Sequence, residues 1–267
     1  MEQALALNML KDQIHRDRNL DVNQYKENYL KRRLAVRMRA LQIEKYEDYC
    51  RYLLENDSEY AVLLDKLTIN VTQFFRDEEM FEVFESEILP NMLKEGKGFK
   101  IWSAGCSTGE EPYSIAVSIE ESAEKAGLSR PEYLIYATDI DSKALYSAVA
   151  GSYKGRTLDN VKQARKEKYF SVNGEEFTVK ETLKERIKFI KFNLMEPYKR
   201  GFFEVVFCRN VIIYFTKELQ KRVMEHFYDS LKEGGVLILG KTETMLQEFR
   251  EKFECVNLKE RMFRKRA

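Results

Sequence analysis

The sequence predicts an α/β protein: a doubly wound parallel sheet with a small antiparallel β insertion, preceded by an all-α N-terminal domain. Three observations carry that expectation. Before Gly96 the chain has no glycine and a single proline, Pro90, and its apolar residues recur at helical spacing. From Phe99 onward, short β-prone runs alternate with amphipathic stretches, the pattern of strands joined by crossover helices. The first of those strands runs straight into a loop holding Gly105 and Gly109, and a helix start follows it. The expected division is a helical domain over residues 1–70 and a sheet domain over 71–267, with the insertion at about 152–186.

Taken in order, Leu7, Leu10 and Ile14 mark one helical stripe, and Leu30, Leu34, Met38 and Leu41 a second. Tyr46, Tyr49 and Leu53 mark a third, Leu64 and Leu67 a fourth, with turns expected at Asn and Asp. Strands are expected at Phe99–Ala104, Tyr133–Thr138, Arg186–Phe192, Phe202–Cys208 and Gly235–Gly240, with helices over 110–126, 142–150 and 216–232. Phe253–Leu258 and Met262–Lys265 read as a closing antiparallel hairpin. Between Gly151 and Arg186 a polar helical piece precedes Tyr169–Val179, where Asn173-Gly174 is a strong hairpin signal.

The bulk numbers bound the function. A chain of 267 residues, 44% hydrophobic and 33% charged, is an ordinary soluble globular protein. A formal net charge of +1 argues against general polyanion binding, so no nucleic-acid partner is expected. Cys50, Cys106, Cys208 and Cys255 lie far apart and only two histidines occur, so neither a metal site nor a disulfide framework is expected. No apolar run reaches membrane-spanning length and no signal core opens the chain, which points to a cytoplasmic protein without membrane insertion.

The chemistry gathers at strand ends. In Ile101-Trp-Ser-Ala-Gly-Cys-Ser-Thr-Gly-Glu-Glu-Pro-Tyr-Ser114, the glycines let backbone approach a ligand and the helix start offers unpaired N–H groups. The third glycine of a dinucleotide loop is missing, and Glu110 and Glu111 would repel a pyrophosphate. They suit a cofactor bearing positive charge, such as S-adenosylmethionine. A capping box, Ser107 with Glu110 or Thr108 with Glu111, is the competing structural account. Asp139 ends the second strand, where a carboxylate accepts from ribose hydroxyls, while Asp141 is better placed to cap the next helix. Asn193 and Asn210 end two further strands, and each amide offers a donor and an acceptor along the same sheet edge. In the helical part Lys26, Arg33 and Arg37 fall on one stripe, with Arg32 and Arg39 close by; such a run is usually a solvated face. In Asn70-Val-Thr-Gln-Phe-Phe-Arg-Asp77, Thr72 or Asp77 can cap the helix carrying Phe81, Phe84 and Ile88.

Asn70–Asp77, Trp102–Ser114, Ala137-Thr-Asp-Ile-Asp141 and Phe207-Cys-Arg-Asn-Val-Ile-Ile-Tyr-Phe215, in this order, resemble the CheR-type chemotaxis receptor methyltransferases. The resemblance implies a class I S-adenosylmethionine-dependent methyltransferase sheet and methyl transfer to glutamates on the helical cytoplasmic part of chemoreceptors. It places cofactor contacts at Asn70, Thr72, Arg76, Glu111, Asp139, Asn193, Leu194, Arg209 and Asn210, and Arg76 and Tyr214 at methyl transfer. It also gives the Lys26, Arg33, Arg37 stripe an acidic helical partner and leans to a monomer. Members docking on a receptor's C-terminal pentapeptide have a longer, glycine-richer turn than Ser171–Glu176, so no such tether is expected. The chain departs from the pattern at Gly240-Lys-Thr-Glu243, where Gly-His-Ser-Glu is frequent. A carboxylate acceptor is ionised at neutral pH, so no general base is required. The rival readings are a nucleic-acid or small-substrate methyltransferase on the same fold and a non-catalytic adaptor. Against the first, Asn210 is followed by Val-Ile-Ile-Tyr rather than Pro-Pro and an aromatic residue.

Overall fold

Apolar residues at helical spacing build four helices in the first part of the computed structural model, which describes residues 2–18, 20–68, 70–198 and 201–266. They are α1 (Glu2–Arg18), α2 (Glu27–Ala40), α3 (Tyr46–Glu55) and α4 (Asp57–Leu67). Leu10, Ile14, Leu30, Leu34, Tyr49, Leu53 and Leu63 are buried as their inner stripe. In α4 the buried apolar positions are Tyr60, Leu63 and Leu67, with Glu59 buried beside them, while Leu64, expected on that stripe, is only partly covered. The turn after α2 is made by Gln42 at φ 57°, without the Asn or Asp the sequence led one to expect.

A buried ion pair joins α2 to α4. Arg37 Nε and Nη2 each lie 2.8 Å from a different oxygen of Glu59, and the Tyr49 hydroxyl donates to the same carboxylate at 2.9 Å. The Arg37 and Glu59 side chains are 13% and 6% exposed. This corrects the expected docking stripe: the Arg37 fork is already filled inside the helical unit. Arg33 lies with its guanidinium carbon 5.4 Å from the Tyr29 ring centroid. Lys26, Arg32 and Arg39 remain exposed. The late segment Tyr214–Gln220 clusters with these helices. The Lys26 amide donates to the Tyr214 carbonyl at 2.9 Å and the Thr216 amide to the Gln24 carbonyl at 2.8 Å.

The second unit begins with α5 (Glu78–Val83), a π-turn over Phe84–Ile88, and α6 (Leu89–Lys94). Pro90 lacks an N–H and would crowd the carbonyl four residues back, so the wider turn just before it is the local accommodation. Next come β1 (Phe99–Ala104), α7 (Glu110–Lys125), β2 (Tyr133–Asp139), α8 (Ser142–Ala150) and β3 (Ser152–Lys154). They are followed by α9 (Gln163–Tyr169), β4 (Phe170–Asn173), β5 (Glu176–Val179), α10 (Glu181–Lys184), β6 (Ile187–Lys191) and β7 (Phe203–Cys208). The chain closes with α11 (Lys217–Ser230), β8 (Leu231–Leu239), β9 (Phe253–Asn257) and β10 (Met262–Lys265).

The main sheet has seven strands in the order β6-β2-β1-β7-β8-β10-β9. β1 pairs in parallel with both β2 and β7, so the chain order reverses between β1 and β7 and opens a crevice at their carboxyl ends. β10 lies antiparallel between β8 and β9, so the closing hairpin extends the sheet rather than standing apart from it. Ile101, Ile135, Val205 and Ile238 are fully buried. Trp102 stacks on Tyr198 with centroids 4.6 Å apart, and its indole N–H donates to Thr138 Oγ1 at 2.9 Å.

The insertion is a three-stranded sheet, β3-β5-β4, one strand more than the sequence indicated. Asn173 pairs with Glu176, so the turn residues are Gly174 and Glu175, one position later than Asn173-Gly174. Gly174 alone of the two has positive φ, 62°, the requirement of a hairpin turn with glycine at its first central position.

Candidate active site

The glycine loop sits at the switch-point crevice, at the end of β1. Gly105 and Gly109 have φ of 81° and 97°, so both need glycine's freedom. The space beside them is filled by protein. A Cβ on Gly105 would come within 2.5 Å of Val211 Cγ2, and one on Gly109 within 2.9 Å of the Ala148 Cβ. The loop's amides are also taken: Gly105 and Cys106 donate to the Thr138 carbonyl at 2.8 and 2.9 Å, and Ser107 to Asp139 Oδ2 at 2.8 Å. Amides spent in this way do not form a phosphate cradle. Gly109 is the N-cap of α7 and has no side chain to offer, so neither form of the competing capping-box account is realised. Thr108 Oγ1 instead donates to Glu110 Oε2 at 2.6 Å.

Carboxylates crowd this crevice. Asp139 is 8% exposed and accepts the Ser107 amide on one oxygen and the Asp141 amide, at 2.9 Å, on the other. Burial pushes its pKa up, and the backbone donors pull against that shift. Asp141 caps α8 by accepting from the Lys143 and Ala144 amides, as expected from its place before that helix. Asn70 bridges the two loops: its Nδ2 donates to Asp141 Oδ2 at 2.8 Å, and its Oδ1 accepts from Ser107 Oγ at 3.1 Å. Burial also pushes Glu110 up.

Glu111 takes the Ser103 hydroxyl on Oε1 at 2.8 Å and faces Arg209 Nη1 at 3.3 Å through Oε2. The Arg209 side chain, 3% exposed, also donates from Nη2 to Asp77 Oδ2 at 2.6 Å and to the Arg76 carbonyl at 2.7 Å. Asp77 does stand at the N-cap of α5, but its carboxylate is drawn to Arg209 and makes no side-chain cap. Arg76 is partly buried, and its Nη1 reaches back to the Val71 carbonyl at 2.9 Å. Thr72 is partly buried in the same segment.

The remaining predicted residues divide. Asn193 Oδ1 accepts the Met195 amide at 3.1 Å, a turn contact within its own loop, and Leu194 beside it is 9% exposed. Asn210 has φ 60°, and its Oδ1 is buried without a partner. Tyr214 belongs to the helical unit, its ring centroid 4.7 Å from that of Tyr29. The sequence reasoning missed Glu243. This side chain, 2% exposed, accepts four amides: Asn210 and Gly240 on Oε2, Val211 and Ile212 on Oε1, at 2.6–3.0 Å. Burial pushes its pKa up against those donors. The available signal was a glycine ending a strand with an acid three residues on.

The donor set tests what the crevice can hold. Asp139, Glu111 and Asp141 beside loop amides already in use favour a positively charged ligand over a phosphate, and the orphaned Asn210 Oδ1 is an acceptor awaiting a donor. The residues present therefore fit S-adenosylmethionine, whose sulfonium and amino groups are cationic and whose ribose offers hydroxyl donors. Fold and site together define the class of S-adenosylmethionine-dependent methyltransferases.

Comparison with known proteins narrows this. Residues 70–262 match the family model described as CheR methyltransferase, SAM binding domain, and residues 5–68 the CheR methyltransferase all-alpha domain. A chemotaxis protein methyltransferase of Listeria innocua is 33% identical over 238 residues, 87% of each chain. A probable chemotaxis protein methyltransferase of Rhizobium etli is 34% identical over 256 residues, covering 92% of this chain and 94% of that one. Chemotaxis protein methyltransferase 1 of Pseudomonas aeruginosa is 37% identical over 191 residues, 69% of each. The chain belongs to the CheR family of chemotaxis methyltransferases, which use S-adenosylmethionine. Among the described residues, no helix is long and apolar enough to cross a membrane.

Proposed function

We propose that this protein transfers methyl groups to glutamate side chains on the cytoplasmic helices of chemoreceptors, giving glutamyl methyl esters for sensory adaptation. The observation that carries the reading is the carboxylate-lined crevice at the switch point in a chain of the chemotaxis methyltransferase family. When bound, S-adenosylmethionine supplies an electrophilic sulfonium methyl group. The acceptor carboxylate is ionised at neutral pH, so the protein's task is alignment and exclusion of water rather than proton removal.

The proposed cofactor set is Asn70, Thr72, Arg76, Glu111, Asp139, Asn193, Leu194, Arg209 and Asn210. Within it Asp139 and Asn210 are the direct acceptors, and Arg209 acts by holding Glu111, Asp77 and the Arg76 carbonyl in place. Arg76 and Tyr214 are the proposed catalytic residues. The Arg76 fork steers a carboxylate, and the Tyr214 hydroxyl donates to the accepting oxygen. Receptor docking is assigned to the exposed basic residues of the α2 region, Lys26, Arg32 and Arg39, with Arg33 beside them. The short turn at Gly174 favours docking without a C-terminal receptor tether.

The test is incubation with methyl-labelled S-adenosylmethionine and a chemoreceptor cytoplasmic fragment, followed by peptide mapping. Label is expected on receptor glutamates and absent when those are replaced by alanine. Label that goes to nucleic acid, or stays on the receptor after the replacement, contradicts the reading. An Arg76→Ala variant should lose transfer at least a hundredfold yet unfold in urea like the parent; near-parental turnover removes Arg76 from the catalytic pair.

A further inference from the structure

The turn after β7 is held by a side chain that has not been given a role. Glu243 stands in the loop after β8 and reaches across to this turn. Its Oε2 accepts the Asn210 amide at 2.9 Å and the Gly240 amide at 2.6 Å; its Oε1 accepts the Val211 amide at 2.9 Å and the Ile212 amide at 3.0 Å. Both oxygens are thus used twice, which fills the acceptor capacity of a carboxylate. Only an ionised carboxylate, an acceptor on every side, matches four converging N–H groups. A glutamine would turn its NH2 toward two of them.

The fit depends on Gly240. A Cβ there would lie 2.8 Å from both the Asn210 nitrogen and Glu243 Oε2, so the close approach of the two loops requires its absence. The outcome is seen at Asn210, a non-glycine residue with φ 60°. Asparagine tolerates that region, but the conformation persists only where the surroundings impose it. The same residue carries the buried Oδ1 without a partner. Three bonds to the turn, with the fourth tying Glu243 to its own loop, therefore fix a side chain left with an unmet acceptor.

We infer that Glu243 is a positioning residue for the cofactor site: its carboxylate locks the Asn210–Ile212 turn in the conformation that presents Asn210 to the cofactor. The inference rests on the proposed cofactor role of Asn210 and adds the residue that creates it. Glu243 itself touches backbone only.

The test compares the full-length parent with Glu243→Gln and Gly240→Ala, which disturbs the same contact from outside and leaves the carboxylate in place. Binding of S-adenosylhomocysteine is measured by calorimetry, and amide exchange of Asn210, Val211 and Ile212 is followed without ligand. Both variants should bind tenfold or more weakly at unchanged stoichiometry, with faster exchange at those three amides. Lys241→Ala, in the same loop but paired with Glu79 and Glu260 and not with the turn, should match the parent's affinity and exchange at those amides. If Glu243→Gln yields no folded protein, Gly240→Ala decides alone. A fall in stoichiometry or thermal midpoint with parental affinity in the remaining molecules would make Glu243 merely structural and overturn the inference. Failure of the parent to bind S-adenosylhomocysteine would overturn the site reading as well, and the two failures are distinguishable.

Discussion

Arg209 carries a full charge at 3% exposure, so its partners decide what its removal does. Without it Asp77 and Glu111 face each other's charge with no cation, and the Arg76 carbonyl loses its donor. Arg209→Ala should lower the urea stability of the sheet unit by about 3–5 kcal/mol, the usual penalty for breaking a buried pair. A loss under about 1 kcal/mol would show the pair to be solvated after all. Arg209→Lys should recover little, because one ammonium cannot match the fork of a guanidinium. Tyr60 makes a pH prediction. Burial, then its hydrogen bond to Asp17, pushes its pKa up to about 12 from 10.0. A raised folded pKa means the stabilisation is complete below pH 10 and lost as pH rises through 12. Urea midpoints should fall across that window, and Tyr60→Phe should flatten part of the fall; an unchanged slope would remove Tyr60 as its source. At this scale the sequence was partly legible. Asp139 and Asp141 separated correctly into a strand-end acid and a helix cap, because strand and helix ends are local signals. Arg37 was not legible, since its partner Glu59 lies 22 residues away, and of Glu243's four bonds only the one to Gly240 is local, the turn it holds lying 31–33 residues back.

Helix α2 divides its charges between the packed interior and the exposed face. Its periodicity was clear from Leu30, Leu34 and Met38, yet periodicity assigns faces and cannot tell an exposed arginine from one buried on Glu59. The two kinds should behave differently on substitution. Charge reversal at Arg32 and Arg39 should raise the Michaelis constant for receptor severalfold at low salt, with little effect near one molar salt or on cofactor affinity. A salt-insensitive receptor Michaelis constant returns the face to plain solvation. Arg37→Ala should instead destabilise the helical unit. The insertion teaches a similar lesson. The glycine announced the hairpin, but cross-strand pairing set the turn one residue later, and β3 was missed because three residues are too few for a period.

The strand alternation from Phe99 onward, read against the rule that parallel strands need crossover helices, was enough to predict a doubly wound parallel sheet with the glycine loop at a strand end, though not the strand order that places the switch point there. It did not reveal β10 entering between β8 and β9, because pairing order among antiparallel strands leaves no mark on hydropathy. Nor did it reveal that Tyr214–Gln220 would cluster with the helices, which depends on backbone bonds at Gln24 and Lys26. Function became legible where local motifs and topology coincided, at the carboxylate-lined loop. The proposed activity is esterification of carboxylates at this site. The most direct test is alkaline treatment of receptor labelled by the protein with methyl-labelled S-adenosylmethionine. Glutamyl esters must release the label as volatile methanol, and receptor lacking its acceptor glutamates must release none. Label that survives alkali would place the methyl on nitrogen, carbon or another stable acceptor and contradict the account.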